Sequence, residues 1–252
     1  MSVSTSTAEP GVVVVTVDHP PVNALPVAGW FALADAVRDA GRDPGTHVVV
    51  LRAAGRGFCA GVDIKEIQRD GHTALVGANN GCHAAFGAVY DCEVPVIAAV
   101  QGFCLGGGIG LVGNADVVVA ADDATFGLPE VDRGALGAAT HLARLVPQHL
   151  MRAMYYTAST VNAYQLHDFG SVYRVVPPDE LAGAVLEVAK QIAAKDPRVT
   201  RAAKKAINGI DPQDVHRSYR YEQGFTFELN LTGTADEVRD RGWVRGQADD
   251  TG

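Results

Sequence analysis

Two glycine-rich stretches carry the residue types best suited to chemistry. Residues 101–110 read QGFCLGGGIG and follow an apolar run, Val94, Pro95, Val96, Ile97, Ala98, Ala99 and Val100; Ile109, Leu111 and Val112 continue in a helix-compatible pattern. This is the outline of a strand, a tight turn and a helix. Glycine lets backbone approach a ligand without a Cβ in the way, and a helix N-terminus leaves its first N–H groups unpaired. Such a turn can hold an oxyanion, or it can be a packing turn where a helix meets a sheet. A second stretch, residues 57–66, GFCAGVDIKE, again follows a β-like run, Val48, Val49, Val50 and Leu51.

Other polar residues have a plain reading beside a chemical one. Asp63 precedes Lys65 and Glu66 and reads as a helix N-cap. Glu130, in FGLPE, is by default a solvated carboxylate. Asp132 and Arg133 are most simply an ion pair, and His141 a surface or satisfied core residue. Histidine nevertheless suits proton transfer near neutral pH, and extra polar groups here would orient a water or bind a substrate oxygen. Tyr90, His83 and Glu93 receive no role. No His/Asp/Glu cluster has metal-ligand spacing, and neither a phosphate loop nor a G-x-S-x-G nucleophile elbow is present in the sequence.

The elements that must position these residues follow from periodicity. Strands are expected at residues 12–17, 48–53, 94–100, 116–121, 125–127 and 171–176. Helices are expected from Pro26, where Trp30, Leu33, Ala34 and Val37 recur at helical spacing, to near Gly41, and at residues 73–90, 181–194, 198–208 and 214–231. Strands alternating with helices indicate βαβ units and a mainly parallel sheet, and the chain is mostly helical from Ala138 onward. Residues 1–10 read as a disordered lead-in of small polar residues.

The chain has 252 residues, 47% hydrophobic and 20% charged, which suits one sizeable core with a helical extension. No apolar run reaches the roughly 18 residues of a membrane helix, and the N-terminus has neither a basic region nor an apolar core. The expectation is a cytoplasmic protein. A formal charge of -8 without Lys/Arg clusters argues against nucleic acid. The four cysteines, Cys59, Cys82, Cys92 and Cys104, form no C-x-x-C pair and read as reduced thiols.

Five segments in order, DHPPVNAL from Asp18, RGFCAGVDIKE from Arg56, VPVIAAVQGFCLGGG from Val94, NADVVVAADDATFGLPE from Asn114 and RGALGAATHLARLV from Arg133, resemble the crotonase (enoyl-CoA hydratase/isomerase) superfamily. The resemblance implies an α/β fold, a spiral of ββα units over residues 11–195, with a C-terminal helical trimerisation region at 196–252. It implies an acyl-CoA substrate, no cofactor beyond the CoA of that substrate, no metal, and a homotrimer or dimer of trimers. CoA is polyanionic, so a few local cations are expected rather than a basic face. The tail from Arg241, RGWVRGQADDTG, lacks the basic, aromatic ending of many members, so no CoA-contacting lysine is placed there.

By that resemblance, the N–H groups of Ala60 and Gly107 hold the thioester oxygen as charge builds on it, each such donor being worth about 3 to 4 kcal/mol. Gly61, Gly106 and Gly108 are small, as such a site demands, and Val62, Asp63 and Ile64 sit where relatives contact CoA. A family hydratase places its first glutamate three residues after Gly107, where this sequence has Gly110; its second is present as Glu130. One carboxylate suits an enoyl-CoA isomerase or weak hydratase, or a retro-Claisen hydrolase in which it activates water against a β-ketone. A non-catalytic acyl-CoA-binding protein is a third reading. The run from Gly106 through Arg152, with EQGFTFELN from Glu222, closely resembles an actinobacterial subgroup that hydrolytically opens ring D of the bicyclic CoA thioester left from steroid rings C and D. Ring opening is the leading reading, with Glu130 as base and Asp132 or His141 as helpers.

Overall fold

The computed structural model describes residues 2–240; the CoA-contact question raised by the tail lies outside the described residues. The strands are β1 (Ser2–Glu9), β2 (Val12–Asp18), β3 (Ala24–Leu25), β4 (Val48–Ala53), β5 (Gly61–Val62), β6 (Val96–Val100), β7 (Phe103–Leu105), β8 (Val117–Ala121), β9 (Thr125–Gly127), β10 (Thr160–Asn162) and β11 (Arg174–Val176). The helices are α1 (Val27–Arg42), α2 (Ile64–Tyr90), α3 (Gly107–Val112), α4 (Ala139–Leu142), α5 (Gln148–Thr157), α6 (Ala163–Asp168), α7 (Leu181–Ala193), α8 (Pro197–Ile210) and α9 (Val215–Leu231), with a 3₁₀ turn at Glu130–Arg133.

The main sheet runs β1-β2-β4-β6-β8-β11, flanked by a three-stranded sheet β10-β9-β7 and the pair β3-β5. From β2 to β11 its neighbours are parallel; only β1 is antiparallel. Successive side chains on a strand face opposite ways, and here both ways are apolar. Val15, Val49, Leu51, Val96 and Ala98 enter the larger core with Trp30 and Leu33, whereas Val12, Val48, Val50, Ile97 and Val119 enter a second core with Leu181, Val185 and Val188 of α7. That is why these strands read as unbroken apolar runs.

Two expectations are corrected. Residues 2–9 form an ordered edge strand, Val3 opposite Val17 and Thr5 opposite Val15. Its side chains are mostly exposed, so no apolar pattern announced it; backbone pairing with the free edge of β2 and β-compatible Val and Thr residues hold it instead. The helix expected at 73–90 begins at Ile64, with a break at Gly71 (φ 60°, ψ −140°). The C-terminal helical region folds back over the core, with Val215, Tyr219, Gln223, Thr226 and Asn230 of α9 buried. No helix among the described residues is long and apolar enough to cross a membrane.

Candidate active site

The fold lays the two glycine-rich stretches side by side. Phe58 N donates to Phe103 O at 2.9 Å and Leu105 N to Cys59 O at 2.8 Å. Buried Asn23 pins the approach to the first stretch, its Nδ2 donating to Ala54 O (2.8 Å) and Gly57 O (2.9 Å). Asp63 caps α2 through Lys65 N (2.9 Å), and Glu66 Oε2 accepts from Val27 N (2.7 Å), tying α2 to the start of α1. The capping reading of Asp63 therefore holds.

A cavity of about 340 Å³ opens where the stretches meet, bordered by Ala60, Gly61, Val62, Ile64, Gly107 and Glu130. Leu75, Asn79 and Cys82 of α2, residues 135–138, and Tyr219, Thr226 and Asn230 of α9 complete its wall, with Arg133 and Arg239. A second cavity of about 540 Å³, between the main sheet and α7, contains none of the expected site residues.

The backbone donors are not quite those expected. Gly107 is the first residue of α3, and its N–H has no acceptor among the described residues. Its nitrogen lies 3.2 Å from where a Cβ on Gly61 would stand. Ala60 N, by contrast, donates to Val22 O at 3.2 Å. Leu25 stands opposite Val62 in the parallel pair β3-β5, and Asp63 N donates to Leu25 O at 2.9 Å. Pro26 offers no N–H, so this pair is bonded through Leu25 and Asp63, and strand alternation turns the Val62 N–H away from β3. The Val62 and Gly107 N–H groups have no acceptor among the described residues, and both residues border the cavity.

Glu130 begins the 3₁₀ turn. Its Oε2 is sealed from solvent with no hydrogen-bond partner. Oε1 lies 2.5 Å from where a Cβ on Gly106 would stand, and Gly106 has φ 56°, so that position excludes a side chain twice over. Burial, helped by the nearby Glu222 charge and opposed by a backbone N–H, pushes the Glu130 carboxyl up to about 8.

Glu222 is itself nearly buried, and burial raises its pKa. It accepts from Ala139 N (2.8 Å), Thr140 N (3.2 Å) and the Tyr155 hydroxyl (3.2 Å). Thr226, four residues on, accepts from Leu136 N (3.2 Å) and donates to Leu136 O (2.7 Å). These α9 side chains thus hold the backbone of the wall at 136–140. The legible trace of this in the sequence is a helix whose core-spaced positions include Gln223, Thr226 and Asn230: polar groups at such spacing face something other than hydrocarbon.

The other expected site residues are not gathered here. Asp132 is exposed, does not border the cavity and makes no ion pair with Arg133 among the described residues. Adjacent residues of a 3₁₀ turn point about 120° apart. His141 is buried behind the cavity, its ring edge-on to Phe86 (5.1 Å) and 4.9 Å from Tyr219. Neither ring nitrogen has a partner, and burial pushes its pKa down to about 3, so it is neutral. Gly106 and Asp63 support the wall without bordering the cavity. At Gly110 the place of a side chain is taken by the Phe86 ring, which also packs edge-on against Trp30 at 5.7 Å. The cysteines are free and buried.

Residues 7–230 match the family model described as enoyl-CoA hydratase/isomerase. The chain belongs to the enoyl-CoA hydratase/isomerase family. A family enzyme of Rhodococcus jostii, (7aS)-7a-methyl-1,5-dioxo-2,3,5,6,7,7a-hexahydro-1H-indene-carboxyl-CoA hydrolase, is 69% identical over 95% of this chain and 93% of its own. The hydrolase of the same name from Mycobacterium tuberculosis is 68% identical over 95% of this chain and 98% of its own. Among solved structures, an enoyl-CoA hydratase/isomerase from Xanthobacter autotrophicus Py2 superposes with a TM-score of 0.86 at 26% identity, covering 98% of this chain and 96% of that one. The crotonase fold expected from the sequence is therefore the fold observed.

Proposed function

We propose that this protein is a CoA-thioester hydrolase that opens a ring of a bicyclic β-keto substrate of the dioxo-hexahydroindene-carboxyl-CoA type, the product of partial steroid breakdown. The observation that carries the reading is identity of 69% and 68%, each over 95% of the chain, to two hydrolases with that substrate in their names. The cavity supports it: the Glu130 carboxyl, with its Oε2 sealed from solvent, borders the same cavity as two unpaired backbone donors, and no second carboxylate stands at Gly110.

In the proposed reaction Glu130, once ionised, takes a proton from water, and the water oxygen bonds to the ring carbonyl carbon β to the thioester. The carbon–carbon bond between that carbon and the thioester α-carbon then breaks, and its electron pair becomes the thioester enolate. The Val62 and Gly107 N–H groups hold the enolate oxygen; Ala60, bonded to Val22, supports the loop. Glu130 returns the proton to the α-carbon, and the former ring carbonyl, now a carboxylic acid on the opened chain, gives the second water proton to solvent and becomes a carboxylate. Gly61 and Ile64 line the thioester end. No cofactor beyond the substrate's CoA enters this scheme. Asp132 and His141, as placed, support no step.

Exposed Val199, Ile207 and Ile210 on α8 and Tyr221, Phe225 and Leu231 on α9 support assembly as a homotrimer or dimer of trimers. Residues 11–195 would then be the spiral core and 196–252 the assembling helical region, in a cytoplasmic enzyme. The experiment is turnover in heavy-oxygen water with a bicyclic β-keto CoA thioester, a linear β,γ-enoyl-CoA and crotonyl-CoA. Ring opening with one heavy oxygen in the new carboxylate, lost in Glu130→Gln, is expected. Fast turnover of a linear ester without ring opening would replace the hydrolase with an isomerase or hydratase, and indifference to Glu130→Gln would leave a binding protein.

A further inference from the structure

Hydrolytic ring opening, on which this inference rests, creates negative charge in two places. The Val62 and Gly107 N–H groups serve the thioester oxygen, but the ring carbonyl oxygen becomes an alkoxide when water adds and part of a carboxylate when the ring opens. We propose that Arg133 binds that ring carbonyl oxygen and then the carboxylate formed from it.

Three other polar side chains around the cavity are occupied. Asn79 Nδ2 donates to Leu75 O (3.0 Å), Asn230 Nδ2 to Thr226 O (2.8 Å), and the Thr226 hydroxyl to Leu136 O (2.7 Å). The cavity's second cation, Arg239, is held by Asp236 (2.5 Å) and Asn230 (3.3 Å). Arg133 alone borders the cavity with a full charge and no ion pair or hydrogen bond among the described residues.

Its position relative to Glu130 follows from the backbone. Glu130 and Arg133 are the first and last residues of one 3₁₀ turn. Residues three apart in such a turn eclipse, so both side chains leave the same face, displaced along the axis by about 6 Å at roughly 2 Å per residue. Gly134, left-handed at φ 65°, ends the turn, and Ala135 N donates to Glu130 O at 3.0 Å. The two side chains do not pair, since Glu130 Oε2 has no partner. A base and a guanidinium therefore flank one gap, where a carbonyl under attack by water would have its carbon toward Glu130 and its oxygen toward Arg133. The planar fork of arginine then matches both oxygens of the product carboxylate.

The same anion chemistry could come from a CoA phosphate, so the test separates the sources. Full-length enzyme and its Arg133→Ala, Arg133→Lys and Arg133→Gln variants would be compared in turnover of the bicyclic β-keto CoA thioester and in calorimetric affinity for propionyl-CoA. Expected for Arg133→Ala and Arg133→Gln is a fall in kcat of about 10²- to 10³-fold, as for loss of an oxyanion donor, with propionyl-CoA affinity unchanged. Arg133→Lys, which keeps the charge without the fork, should fall between. Added guanidinium at millimolar concentration should restore part of the Arg133→Ala rate. Loss of propionyl-CoA affinity in step with turnover would assign Arg133 to phosphate and overturn the proposal. Equal ring opening by Arg133→Ala and the unaltered enzyme would overturn the role of Arg133 alone; no ring opening by the unaltered enzyme would overturn the reaction itself.

Discussion

Glu130 must be ionised to act as a base, yet its surroundings favour the protonated form. Its carboxyl is held up to about 8, against 4.5 ordinarily. At pH 7 only about one-tenth of free enzyme then carries the charged base, rising to about nine-tenths at pH 9. The value of kcat/KM for ring opening should therefore rise roughly tenfold between pH 7 and pH 9 and level off. Stability should move the other way. The unfolded chain releases this proton near its ordinary value and the folded chain only near 8, so the folded state is favoured below about 4.5 and loses that advantage as pH rises through 8. The gap corresponds to roughly 5 kcal/mol, at about 1.4 kcal/mol for each tenfold change in proton affinity. Glu130→Gln removes the titration. It should lower kcat/KM by about 10²- to 10⁴-fold while making the protein more resistant to urea than wild type at pH 9, the difference shrinking at pH 4. Paired pH–rate profiles and urea melts measure both. A pH–rate profile flat from pH 6 to 9, or a Glu130→Gln variant whose stability advantage over wild type is no larger at pH 9 than at pH 4, would refute the reasoning that a sealed, unpartnered carboxyl is the base.

Gly110→Glu should fail to produce a crotonyl-CoA hydratase, because the Phe86 ring occupies the space the new side chain needs; overpacking there should lower stability by about 1–3 kcal/mol or more, read by thermal melting. His141→Leu should leave ring opening within a few-fold of wild type. Because the buried imidazole titrates at about 3 while the unfolded one titrates near 6.5, wild type loses stability as pH falls from about 6.5 toward 3; the variant, spared that loss, should gain about 3 kcal/mol relative to wild type on going from pH 7 to pH 4 in urea melts.

The sequence by itself determined the frame. Apolar runs at residues 48–53 and 117–121 mark strands buried on both faces; Trp30, Leu33, Ala34 and Val37 at helical spacing mark α1; and Asp63 before Lys65 marks an N-cap. These signals are local, since each depends on the period of one element or on a cap's own turn. Glycines too close to neighbours to carry a Cβ were equally legible as a pair of loops around a site. Only the tertiary structure decided which groups in those loops are available. Ala60 and Val62 are two residues apart in one stretch; the carbonyl of Val22 occupies the first N–H, and pairing with β3, together with Pro26, turns the second away. His141 and Asp132 had suitable chemistry but stand in the wrong layer or on the wrong face, whereas Glu222 and Tyr155 reach the site wall from α9 and α5. A side chain's reactivity depends on desolvation and on partners brought from distant parts of the chain. The burial that lifts Glu130 to about 8 exists only when α2, α9 and the glycine turns have closed around it.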